Sequence, residues 1–114
     1  KEISQGADLT ILPCIPDAFS LQAMFSMLPD LDSQAVYRCL LTVCPPPPSK
    51  ETINVREALS GANVPLFKAQ IRRSAGFVKA IAQGLAACDL PAKDRVGWLD
   101  YKELGKEVLA ILQA

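Results

Sequence analysis

Hydrophobic residues in this chain fall into short blocks separated by polar or proline-rich breaks. The block Asp8 to Ile15 is rich in β-formers and lacks clean alternation, which predicts a strand buried on both faces, as in a parallel sheet. Asp17 or Ser20 can cap the segment that follows. There, Phe19, Ala23, Met27 and Leu21, Met24, Leu28 recur at helical spacing until Pro29 ends the helix. Val36 to Val43 predicts a second strand of the buried type. The prolines from Pro45 to Pro48 cannot donate to a sheet ladder and predict a stiff, extended loop. Ser49 caps the next helix, with Glu51 and Thr52 in its first turn and Ile53, Arg56 and Leu59 along it; Gly61 and Asn63 stop it. Val64 to Phe67 predicts a third short strand. A helix over Ala75–Gln83, apolar on Phe77, Val78 and Ile81, ends at Gly84, and Leu90 to Gly97 predicts a loop. Trp98 to Gln113 predicts a last amphipathic helix, with Leu104, Val108, Leu109, Ile111 and Leu112 inward and a Glu103/Lys106 pair outward.

The predicted order is β-α-β-α-β-α-α, without an internal repeat. Short buried-type strands alternating with helices predict an α/β fold, a parallel sheet of about three strands with four flanking helices. Residues 1–114 are enough for a single domain and too few for two. Three strands are few for a sheet of this kind. They leave an edge strand with unpaired backbone groups, so the chain is expected either to assemble with other chains or to form part of a larger domain. Lys1 in place of an initiator Met fits the second expectation.

Composition narrows the chemistry. Half of the residues are apolar and 21% are charged, which is globular composition. No apolar run approaches the length of a membrane span and no signal peptide opens the chain, so a cytoplasmic protein without membrane contact is expected. Histidine is absent, which excludes His general bases, Ser-His and Cys-His nucleophiles and His-ligated zinc within this chain. Cys14, Cys39, Cys44 and Cys88 lack paired spacing. The first three lie in or beside apolar runs, and buried reduced thiols are expected, with no metal site. No catalytic residue is assigned: neither GxxxxGK[ST] nor GxGxxG occurs, and no carboxylate constellation stands out.

Charge order is more informative than net charge, which is zero. From Ala58 to Cys88 there is no acidic residue, yet Lys68, Arg72, Arg73 and Lys79 fall in that stretch. On the helix near Arg73, the positions Arg72, Gly76, Lys79 and Gln83 share a side opposite Phe77, Ile81 and Leu85, which puts cations toward solvent as an ordinary solvated face or a phosphate-contacting one. In open parallel sheets, ligands sit beyond the carboxyl ends of the strands. Here those ends are Pro13 to Asp17, Thr42 to Lys50 and Lys68 to Arg73, which bring a hydroxyl, stiff prolines and cations to one edge.

Taken in order, these segments resemble the ParA/MinD-type partition ATPases. Gly6 to Pro13 followed by Pro16 is similar to their ADLVLIPV-P segment, and Leu40 to Val43 followed by Pro45 to their VLTR strand and loop. Val55 to Leu59 is similar to VREAL, Val64 to Arg73 to LPVFKTxIRR, and Phe77 with Gln83-Gly84 to the segment after it. The resemblance runs along the whole chain and covers the C-terminal half of such a protein. The Walker A loop, the switch regions and the Walker B aspartate would lie before Lys1. It implies a P-loop NTPase-type sheet and a parent ATPase that binds ATP or ADP with Mg, forms an ATP-dependent homodimer and binds DNA non-specifically. It also implies a ParB-like or cargo adaptor that stimulates hydrolysis, a nucleoid-associated location, and the partition or positioning of plasmid, chromosome or protein cargo. The nucleotide's base would be held by Thr42, Pro45 and Pro46, and DNA by Lys68, Arg72, Arg73 and Lys79. A carboxysome-positioning (McdA-like) subgroup is also similar, through the proline loop, Ser49-Lys50 and Lys102 to Glu107. There a lysine of the C-terminal half reaches the partner subunit's nucleotide, and Lys50 would be its equivalent. The competing expectation, from another class, is a non-catalytic interaction module that associates through its open sheet edge.

Overall fold

A computed structural model describes residues 6–114. Strand β1 (Thr10–Cys14) and strand β2 (Tyr37–Leu41) form a two-stranded parallel sheet, in register from Thr10 opposite Tyr37 to Cys14 opposite Leu41. Four α-helices accompany it: α1 (Ala18–Met27), α2 (Lys50–Gly61), α3 (Ala75–Gln83) and α4 (Val96–Leu112). The expected α/β class with four helices is thus present among the described residues. The expected loop from Leu90 to Gly97 holds a 3-10 turn at Ala92–Asp94 and the buried Leu90.

The third predicted strand is replaced by an irregular extended segment. It meets β2 at an isolated bridge, Cys39 with Leu66, and through Ile71 N donating to Leu41 O at 2.9 Å, and it meets the chain just past β2 at a second bridge, Cys44 with Arg72. Between those bridges β2 advances five residues and its neighbour six, so one residue is extra, as in a bulge. Three of the intervening N–H groups have acceptors outside the sheet. Lys68 N and Ala69 N donate to the Glu107 carboxylate at 2.8 and 2.7 Å, and Arg72 N donates to Asp100 at 2.8 Å. Glu107 therefore takes the Ala69 N–H that a regular ladder would direct to β2, whereas Phe67 N and Ile71 N still donate to Cys39 O and Leu41 O.

Two clusters lie on the two faces of the sheet. Leu12, Cys14, Cys39 and Leu41 pack with Met24 of α1 and with Val55 and Leu59 of α2. Leu40, Phe67 and Ile71 pack with Leu104 of α4, with Phe77, Val108 and Ile111 at the margin. β2 is buried at Cys39, Leu40 and Leu41, on both faces as its sequence predicts. β1 is not: Leu12 and Cys14 are buried, whereas Ile11 and Pro13 are exposed, because nothing among the described residues covers its second face.

Three helical faces differ from their predicted orientation. In α2 the buried stripe is Thr52, Val55 and Leu59; Ile53 is exposed and Arg56 half-buried. Thr52 can be buried because its hydroxyl lies 2.8 Å from that of Ser49. In α3 the inner face is Gly76 and Ala80, and Val78 and Ile81 are 70% and 83% exposed. Gly76 sets this rotation: a Cβ there would overlap the carbonyl of Asp94, so only glycine permits so close an approach. In α4, Leu104 is buried while Leu109 and Leu112 face out, because Asp100 and Glu107 share the inner stripe with Leu104 and draw that face toward the backbone groups they bind. In α1, Leu21, Met24 and Leu28 turn inward and Phe19 is left 87% exposed.

Candidate functional site at the carboxyl edge of the sheet

β1 and β2 end side by side, tied by Thr42 N donating to Cys14 O at 3.0 Å. From β1 the chain turns tightly, with Asp17 N donating to Ile15 O, and the Asp17 carboxylate then caps α1 by accepting from Ser20 N at 2.7 Å. From β2 it passes through Val43, whose φ of 53° is left-handed. That region is costly for a β-branched side chain, of order 1–3 kcal/mol, and such strain gathers at functional turns. Cys44 then re-pairs with the irregular segment through Ile71 O and Arg73 N, and Pro45 to Pro48 lead to the Ser49 cap of α2.

Thr42 is half-buried and lines an apolar groove of about 370 Å³ with Cys14, Ile15, Met24 and Met27. Pro45 lines a separate groove of about 170 Å³ with Pro48, Ile53, Arg56 and Gln70. Pro46 and Lys50 are exposed. The structure therefore brings Thr42 and Pro45 to one edge of the sheet but into different grooves, and Lys50 stands at the first position of α2 with no side-chain hydrogen bond or ion pair among the described residues. Arg56 braces the edge from below, donating to Phe67 O at 3.0 Å and to Gln70 Oε1 at 2.9 Å.

The predicted thiols Cys14, Cys39 and Cys44 are buried and Cys88 is exposed; none is in a disulfide. Burial pushes the Cys39 thiol up to about 11, helped by the nearby Cys14, and its Sγ lies 3.5 Å from Met24 Sδ. Burial also raises Cys14, with Asp17 adding to the effect. Cys44 is raised chiefly by burial, against the opposing pull of Arg56. Protonated and enclosed thiols of this kind act as packing groups and not as nucleophiles.

The cations of the acid-free stretch are dispersed. Arg72 forms a bidentate pair with Asp100 through Nε and Nη2, at 2.9–3.2 Å, and this hydrogen bonding raises its already high pKa. Lys79 Nζ lies 2.9 Å from Asp94 with its side chain 48% exposed. Arg73 is exposed and has no hydrogen bond from its side chain among the described residues. Lys68 lies elsewhere, in a groove with Arg38 and Glu107. Sequence reasoning missed Asp100 and Glu107, although a signal was present: both fall on the helical stripe that runs through Leu104 and Ile111.

Among known proteins, the chain matches no family model and no curated protein at the significance required of a match. Among the described residues, no helix is long and apolar enough to cross a membrane.

Proposed function

We propose that this chain forms part of a ParA-type ATPase, a P-loop NTPase-type protein that binds ATP, dimerises, binds DNA non-specifically and positions or partitions cargo. The ordered resemblance from Gly6 to Glu107 supports this reading, and one structural observation carries it furthest. Two parallel strands end together, and Thr42, just past β2, lines an apolar groove with residues of β1 and α1. A purine base fits the character of that groove, since Met24, Met27 and Ile15 offer apolar walls and Ser20 and Thr42 offer hydroxyls. The described residues contain no phosphate cradle, so the triphosphate and its Mg fall to residues outside this set. In the same reading Arg73 and Lys79 face DNA phosphates, while Arg72 is committed to Asp100.

The test uses the complete protein encoded by the gene. It is expected to bind DNA with ATP and much less with ADP. Thr42→Ala is expected to lower nucleotide affinity about tenfold. Arg73→Ala is expected to weaken DNA binding and to reduce its salt slope by about one. A complete protein that binds no nucleotide overturns the reading.

A second reading is favoured by one observation. Among the described residues the outer edge of β1 is unpaired, with Ile11 and Ile15 exposed along it, which suits a non-catalytic module that associates through this edge.

A further inference from the structure

A groove of about 550 Å³ lies beside the start of β2, away from the proline loop, between that strand and the last turns of α4. Its lining includes two cations, Arg38 and Lys68, and the aliphatic groups of Val36, Ala110 and Ile111. Neither cation forms an ion pair among the described residues. The acidic side chain of the groove, Glu107, already uses both carboxylate oxygens on the N–H groups of Lys68 and Ala69. With two positive charges against its one negative charge, the lining keeps a net positive charge. The guanidinium carbon of Arg38 sits 6.0 Å from the centroid of the buried Phe67 ring, a cation–π contact that steadies the fork. An Arg fork matches a carboxylate bidentately, and Lys68 adds a mobile point charge.

We propose that this groove docks a peptide segment of a protein partner in which acidic residues alternate with apolar ones. A carboxylate would meet Arg38 and Lys68, and an apolar side chain would cover Val36, which is 51% exposed, and Ile111. Charge complementarity selects the acidic residue, and the aliphatic floor selects its neighbour. Nucleic acid suits the groove less well. Its floor offers no aromatic face for a base, since Phe67 is fully buried.

The experiment titrates the complete protein with a fluorescent synthetic peptide in which Asp and Glu alternate with Leu. A counterpart with Asn and Gln, and a DNA duplex, serve as comparisons. The acidic peptide is expected to bind, more weakly as salt rises, and the neutral peptide to bind at least about tenfold less tightly. Arg38→Gln and Lys68→Gln are each expected to weaken the acidic peptide about tenfold, and Lys102→Gln to leave it unchanged. Should Arg38→Gln unfold the protein, Lys68→Gln and Lys68→Glu decide the matter, because the Lys68 side chain is exposed. No binding of the acidic peptide, equal binding by the variants, or loss of DNA binding alone in Arg38→Gln and Lys68→Gln overturns the proposal. Nucleotide is absent from the titration, so its failure is separate from failure of the ATPase reading.

Discussion

Val43 is the residue at which local preference and the fold conflict most plainly. A β-branched side chain at φ 53° places Cβ against its own carbonyl, yet this conformation turns the chain from Thr42 to Cys44 and aims the proline loop. Val43→Gly relieves about 1–2 kcal/mol of that strain. It adds back about 0.5–1 kcal/mol of unfolded-chain entropy. A small net rise in the thermal midpoint is therefore expected, and a fall would mean that side-chain packing holds the turn. The thiols give a second expectation at this scale. In the unfolded chain Cys39 titrates near 9, whereas in the fold it holds its proton to about 11. Unfolded chains lose the proton first, so the stability linked to this thiol is fully present below about pH 9 and is lost as pH rises toward 11. Cys14 and Cys44 shift in the same direction. Urea midpoints measured across that range should fall with pH, and iodoacetamide at neutral pH should label Cys88 alone until the protein is unfolded.

Gly76 and Gly97 permit the close approach of α3 to Asp94 and of α4 to Phe77, and two carboxylates, Asp100 and Glu107, tie α4 to the irregular segment. Gly76→Ala drives a methyl into the Asp94 carbonyl and should destabilise by about 1–3 kcal/mol in urea unfolding. Gly105→Ala, where the added methyl meets nothing, should stabilise by about 0.5–1 kcal/mol because alanine is the better helix former. A similar loss in both variants would mean that α3 does not pack as described. Asp100→Ala should cost about 1–3 kcal/mol, chiefly because it leaves the Arg72 N–H without its acceptor; the Arg72 side chain is 39% exposed and can be solvated. These contacts also show why only part of the fold was legible in the sequence. The caps at Asp17 and Ser49 and the stop at Gly84 are local chemistry, and all three stand where the residues put them. The orientation of α3 was not legible, because its apolar residues Val78 and Ile81 point out while Gly76 and Ala80 point in. That choice is made by Asp94, outside the helix. The third strand was misread for a related reason. Its sequence is strand-like, but the acceptors that divert its N–H groups lie 28 to 39 residues further along the chain. The candidate site was legible in its position, at the carboxyl edge, and not in its grouping, because periodicity cannot tell that Thr42 and Pro45 open into different grooves.

At the scale of the whole molecule the uncovered surface is the main feature. Thr10 and Cys14 direct their backbone groups to β2, so by strand alternation those of Ile11 and Pro13 point away from it. Pro13 has no N–H to offer and Ile15 O is already taken by Asp17 N, which leaves Ile11 with the complete pair of outward groups. Such an edge can accept a short strand but not a long one. Beside it, the exposed Ile15, Phe19 and Met27 extend the apolar surface onto α1. The two readings of function separate here. If a strand of the same polypeptide covers β1, as the ATPase reading requires, the complete protein should sediment as a monomer without nucleotide, and Ile11→Lys should lower its stability without changing its mass. If a second copy covers the edge, the protein should sediment as a dimer at micromolar concentration, and Ile11→Lys should dissociate it, because a charge on an open edge blocks strand addition. Sedimentation equilibrium of the two forms, wild type and Ile11→Lys, distinguishes these outcomes. A dimer that survives Ile11→Lys would move the contact away from the β1 edge to another exposed apolar surface, of which Val78 and Ile81 on α3 and Leu109 and Leu112 on α4 are examples.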